Sequence, residues 1–134
     1  MAYIRSNGVD LAYETFGKET SSPLLLIMGL SSQMIMWEEE FCRRLADKGY
    51  LVIRFDNRDV GLSTKLKGAR IPDFQNLLMG RFSEDTAVPY TLEDMAGDTI
   101  GLLDGLGIDS SHVVGVSMGG MIAQEMAIHY PGRL

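Results

Sequence analysis

Cysteine occurs once in this 134-residue sequence, at Cys42, so no internal disulfide can form and nothing asks for an oxidising compartment. Histidine is almost as scarce. His112 and His129 stand apart from each other and from Cys42, without the clustered spacing of a metal site, and no cofactor motif accompanies them. Basic residues are outnumbered, 12 Lys and Arg against 18 Asp and Glu, for a net charge of −6. The nearest thing to a basic run, Lys65-Leu66-Lys67 with Arg70, is broken by apolar residues, so no nucleic-acid partner is expected. No apolar run approaches the roughly 18 residues of a membrane span. The start, Met1 to Ser6, also lacks the apolar stretch of a signal peptide. The expected setting is cytoplasmic, with no membrane and no metal.

What is present is an ordinary globular composition, 46% hydrophobic and 22% charged, at a length that suits one domain. Internal repeats and low-complexity segments are absent. Tyr3–Ser6 and Val9–Tyr13 flank Asn7-Gly8, the dipeptide best suited to a tight hairpin turn. In the second arm Val9, Leu11 and Tyr13 alternate with Asp10, Ala12 and Glu14, as in a half-buried strand. Pro23 to Met28 is apolar without alternation, which predicts a strand covered on both faces. After Gly29-Leu30-Ser31-Ser32 the spacing of Trp37, Phe41 and Leu45 predicts an amphipathic helix closed by Gly49. Tyr50 to Phe55 is the next strand.

Asp56 to Ser63 reads as a loop, and residues 64–90 are irregular, with a short helix expected around Phe74 to Leu78. Thr91 followed by Glu93 and Asp94 marks a helix start, and Leu92, Met95, Thr99, Leu102, Leu103 and Leu106 keep the helical period. His112 to Gly115 is a short buried strand. A last helix runs from about Met118 to Tyr130, stopped by Pro131-Gly132. Strands alternating with helices after a hairpin predict an α/β fold, mostly parallel with an antiparallel edge.

Gly115-Val116-Ser117-Met118-Gly119 has the G-x-S-x-G spacing of a nucleophile elbow, with a strand before it and a helix after it. A serine on so sharp a turn has a strained backbone, and Gly115 and Gly119 remove Cβ atoms that would clash. Its hydroxyl then projects beside the open N–H groups of a helix start. Ser117 is therefore the candidate nucleophile. Asp56 and Arg58 read instead as residues that fix their loop. His112 opens a strand ahead of the serine, and His129 lies twelve residues beyond it, about 18 Å along a helix. Neither can serve Ser117 as a base. Met28, Met34, Met36 and Met118 could line an apolar acyl pocket, although packing is the commoner use of methionine. Trp37 reads as a helix anchor. Cys42 has no activating neighbour.

Three blocks resemble the α/β-hydrolase superfamily in its own order: Leu25–Leu30, Phe55–Ser63 and His112–Gly120. Met28-Gly29 together with Asp56-Asn57-Arg58-Asp59 is most similar to the aclacinomycin-methylesterase-like esterases. That resemblance implies a strand order of 1-2-4-3-5-6-7-8 with helices on both faces. Residues 1–134 would be a partial domain, ending after the elbow helix. It also implies oxyanion donors at the backbone N–H groups of Leu30 and Met118, with Met28 standing where the family often has histidine. The implied activity is hydrolysis of a small-molecule carboxylic ester through an acyl-enzyme. The triad acid and histidine would come from the missing C-terminal half, without which the chain should be inactive and its fifth strand an exposed edge. Perhydrolase, lactonase and C–C hydrolase chemistry share this fold. A receptor or scaffold that has lost catalysis is the alternative outside enzymes.

Overall fold

The computed structural model describes residues 1–68 and 88–134; the helix expected around Phe74 to Leu78 lies outside them. β1 (Ala2–Ser6) and β2 (Val9–Phe16) form the expected antiparallel hairpin, with Ser6 opposite Val9. The turn needs positive φ at both central residues, and Asn7 (46°) and Gly8 (83°) supply it. β3 (Ser22–Ile27), α1 (Glu39–Ala46), β4 (Tyr50–Phe55), α2 (Leu92–Gly105), β5 (His112–Gly115) and α3 (Met118–His129) follow. The sheet order is β1-β2-β4-β3-β5. β2 runs antiparallel to β4, whereas β3 lies parallel to both β4 and β5. This is the order that the resemblance implied.

Side chains on successive β3 residues point to opposite faces, and each face has its own cover. Leu25 and Ile27 join Leu11, Ile53 and Phe55 beneath α2 and α3, which contribute Leu102, Leu103, Ile122 and Met126. Leu24, Leu26 and Met28 join Val52 on the other face, beneath Trp37 and Cys42. The unbroken apolar run is thus explained by two-sided burial. α2 starts where Thr91 predicted: its hydroxyl accepts the Asp94 N–H at 3.2 Å, and the Asp94 carboxylate accepts the Thr91 N–H at 2.8 Å.

Three expectations are corrected. The helix after β3 begins at Glu39, later than the Trp37 stripe implied, and a 3₁₀ turn at Met34–Met36 precedes it. Trp37 therefore reaches the core from extended backbone, and Cys42 is the buried residue of α1, while Phe41 is 44% exposed and stacks on the Trp37 ring. Ala12 is buried rather than solvent-facing. The loop after β4 covers it: its N–H donates to Ser63 Oγ and its carbonyl accepts from Asp56 N–H. β5 is only partly buried, because among the described residues β3 is its one neighbour in the sheet; His112 and Val114 are exposed.

Candidate active site

β5 ends at Gly115 and α3 begins at Met118, so the reversal falls on Val116 and Ser117. Ser117 takes φ 54° and ψ −123°, a region that residues with a side chain seldom enter, and its side chain is exposed. The glycines at each end of the motif do different jobs. A Cβ on Gly115 would lie 2.2 Å from Gly119 O, so its absence lets the turn close. A Cβ on Gly119 would lie 2.2 Å from Ile27 O, so its absence lets α3 approach the end of β3. The Val116 N–H donates to that same carbonyl at 3.1 Å, extending the parallel pairing to the edge of the turn.

The loop after β3 lies directly against the serine. An ideal Cβ on Gly29 would sit 3.1 Å from Ser117 Cβ and 3.6 Å from Ser117 Oγ. Beyond Gly29 the chain turns, with Ser31 at φ 56° and the Ser32 N–H donating to Gly29 O at 3.2 Å. Carbonyl and N–H of one trans peptide point in opposite directions. Holding Gly29 O inside the turn therefore directs the Leu30 N–H out of it. Among the described residues neither the Leu30 nor the Met118 N–H donates a hydrogen bond. Met118 opens α3, where the first N–H groups have no partner within the helix.

Neither histidine reaches this place. His112 is at the far end of β5, edge-on to Tyr50 at 6.0 Å, and His129 is in the last turn of α3, 3.1 Å from Glu125. Among the described residues no cluster of His, Cys, Asp and Glu could hold a metal ion, and no helix is long and apolar enough to cross a membrane. Met28 and Met34 are buried in packing, Met36 is 66% exposed and Met118 is half-buried, so the four methionines do not form one pocket wall. Burial raises the Cys42 thiol pKa, which keeps it an unreactive core residue.

The segment after β4 is bonded more widely than its loop composition suggested. Asp56 accepts the N–H groups of Met34 (2.7 Å) and Leu62 (2.8 Å). Arg58 makes a bidentate bridge to Asp98 of α2, at 2.6 Å for both bonds, and lies 4.9 Å from the centre of the Tyr90 ring. Asp98 holds the guanidinium above its already high pKa. Asn57, given no role by the sequence, donates from Nδ2 to Met28 O at 3.0 Å. Its partner lies 29 residues away, just past the end of β3, and no local pattern announces such a bond.

A sheet in this order, with a tight strand–serine–helix turn at the end of its fifth strand, defines an α/β protein of the hydrolase type. The family model described as the alpha/beta hydrolase fold matches residues 22–134, and the chain belongs to that family. It is 35% identical over 131 residues to rhodomycin D methylesterase DnrP of Streptomyces peucetius, covering 98% of this chain and 38% of the relative. It is 31% identical over 130 residues to 3-oxoadipate enol-lactonase 2 of Acinetobacter baylyi, covering 97% and 40%. Among solved structures, the enol-lactonase from Burkholderia xenovorans LB400 superposes with a TM-score of 0.78 at 28% identity, over 99% of this chain and 44% of that one. The chain thus spans about two fifths of the length of these relatives.

Proposed function

We propose that this chain carries the nucleophile and oxyanion side of a carboxylic ester hydrolase that works through a Ser117 acyl-enzyme. The observation that carries the reading is the Ser117 backbone, at φ 54° between β5 and α3, with Gly29 of the β3 loop packed against its side chain. Ser117 Oγ attacks the ester carbonyl carbon, and its proton passes to a base. The carbonyl oxygen becomes an oxyanion held by the N–H groups of Leu30 and Met118. Collapse expels the alcohol, and water then releases the acid from the serine. Each donor of such a hole is worth roughly 3–4 kcal/mol in the transition state.

Neither histidine lies near Ser117, so we assign the base and the acid that orients it to further polypeptide completing the domain, as the two-fifths coverage of the relatives supports. A lactone is a cyclic ester and passes through the same steps. The enol-lactonase relative favours it as the second substrate class.

The test is turnover of methyl esters and lactones by the complete polypeptide, beside a Ser117→Ala variant and a fluorophosphonate that labels activated serines. We expect the variant to lose about 10⁴–10⁶-fold in kcat and all of the label. Residues 1–134 alone should match that variant. Turnover or labelling that survives Ser117→Ala would place the nucleophile elsewhere.

A further inference from the structure

The loop from Met28 to Met34 would carry the Leu30 donor, and loops are ordinarily the parts of a fold that move most. Here both ends are tied to the turn after β4. At one end Asn57 Nδ2 donates to Met28 O at 3.0 Å. At the other, Asp56 Oδ1 accepts the Met34 N–H at 2.7 Å, while its second oxygen accepts the Leu62 N–H at 2.8 Å. Asn57 and Asp56 are each only 2% exposed, so water competes weakly for these bonds. Met28 O also faces α3: a Cβ on Gly119 would come within 2.9 Å of it. The peptide that Asn57 holds is therefore wedged between the turn after β4 and the first turn of α3. The next residue, Gly29, abuts Ser117.

We propose that Asn57 is a positioning residue for ester hydrolysis, holding the Met28–Gly29 peptide so that the Leu30 N–H faces the oxyanion formed at Ser117. Asp56 anchors the far end of the same loop. The proposal rests on the assignment of Ser117 and Leu30 made above. Asn57 does not touch the reacting atoms; it acts through the backbone. A donor displaced by a fraction of an ångström serves the transition state poorly yet leaves the substrate's other contacts alone. The loss belongs in kcat rather than in KM.

The experiment uses the complete polypeptide with the ester turned over in the Ser117 assay, and compares Asn57→Ala and Asn57→Asp with the parent. Asn57→Asp nearly preserves shape but removes the N–H donor. Readouts are kcat, KM, the thermal midpoint, and inhibition by a trifluoromethyl ketone analogue of the ester, whose serine adduct carries an oxyanion. The expected result is a fall of about tenfold in kcat for both variants, with KM within about twofold, and a parallel weakening of the ketone. Folded variants that keep parental kcat and ketone affinity overturn the proposal. So does a loss of turnover that tracks only the fraction of protein unfolded. A Ser117→Ala control that stays active refutes the underlying assignment, and the proposal with it. A silent control beside parental Asn57 variants refutes the proposal alone.

Discussion

Gly119 and Gly120 are neighbours in the first turn of α3, and the structure gives them opposite responses to alanine. At Gly119 a Cβ would sit 2.2 Å from Ile27 O, 2.8 Å from Ile27 C and 2.9 Å from Met28 O. All of these are backbone atoms of β3 or its end, so no side chain can rotate away. Relieving the contact needs a shift of about 1 Å between α3 and β3, and such overpacking costs about 1–3 kcal/mol. The same shift strains the Val116 N–H bond to Ile27 O at 3.1 Å, worth about another 1 kcal/mol. Alanine's better helix propensity returns about 1 kcal/mol, leaving Gly119→Ala about 1–3 kcal/mol less stable. At Gly120 the nearest atom to a Cβ is Gly115 O at 3.4 Å, an ordinary contact. Gly120→Ala should therefore keep the propensity gain and be about 0.5–1 kcal/mol more stable. Urea unfolding of the complete polypeptide, followed by circular dichroism, measures both. A neutral Gly119→Ala, or a Gly120→Ala that is destabilised as much as its neighbour, would show that the approach of α3 to β3 does not govern this turn.

Two further outcomes follow from the Arg58 cluster. Arg58→Ala leaves Asp98, whose side chain is 3% exposed, without its bidentate partner, and should cost about 3–5 kcal/mol in urea unfolding. The double variant Arg58→Met with Asp98→Leu should recover most of that loss, because it removes both charges together; equal loss in single and double variants would sink the reasoning. Burial is the first cause that lifts the Tyr90 phenol from 10.0 to about 12, helped by the nearby Asp59 carboxylate. Raised in the folded state, Tyr90 contributes stability that is complete below pH 10 and disappears as pH climbs through about 12. Unfolding free energies for parent and Tyr90→Phe should therefore diverge from each other in slope across that window, and parallel curves would contradict the shift.

What could be read from the sequence was whatever a local pattern encodes. Asn7-Gly8 predicted its turn because the φ requirement belongs to those two residues. Thr91 and Asp94 predicted the α2 start because a capping box is complete within one turn. The tight turn at Ser117 was legible for the same reason: strand, serine and helix are contiguous. Trp37 was misplaced because its spacing with Phe41 and Leu45 fits a helix, although it lies before Glu39, where α1 starts. Arg58 was only half read, and Asn57 was given no role. Their partners, Asp98 and Met28, are 40 and 29 residues away, and a bond between distant positions leaves no period to detect.

The pairing of strands explains why three separated sequence blocks meet at one place. β4, β3 and β5 lie side by side and parallel, so their ends at Phe55, Ile27 and Gly115 fall on the same edge of the sheet. The chain leaving β3 packs Trp37 and α1 on one face, while the chain leaving β5 packs α3 on the other. Two adjacent parallel strands whose connections depart to opposite faces leave a crevice between their ends. Gly29 and Ser117 face each other across that divergence, and the glycine leaves the serine hydroxyl uncovered. The turn from β4 approaches from the outer side, and its Asn57 bond to Met28 O crosses to the strand that leads into the crevice. A side chain at 29 would crowd Ser117, and one at 119 would separate α3 from β3, so both walls of the crevice depend on residues without a Cβ.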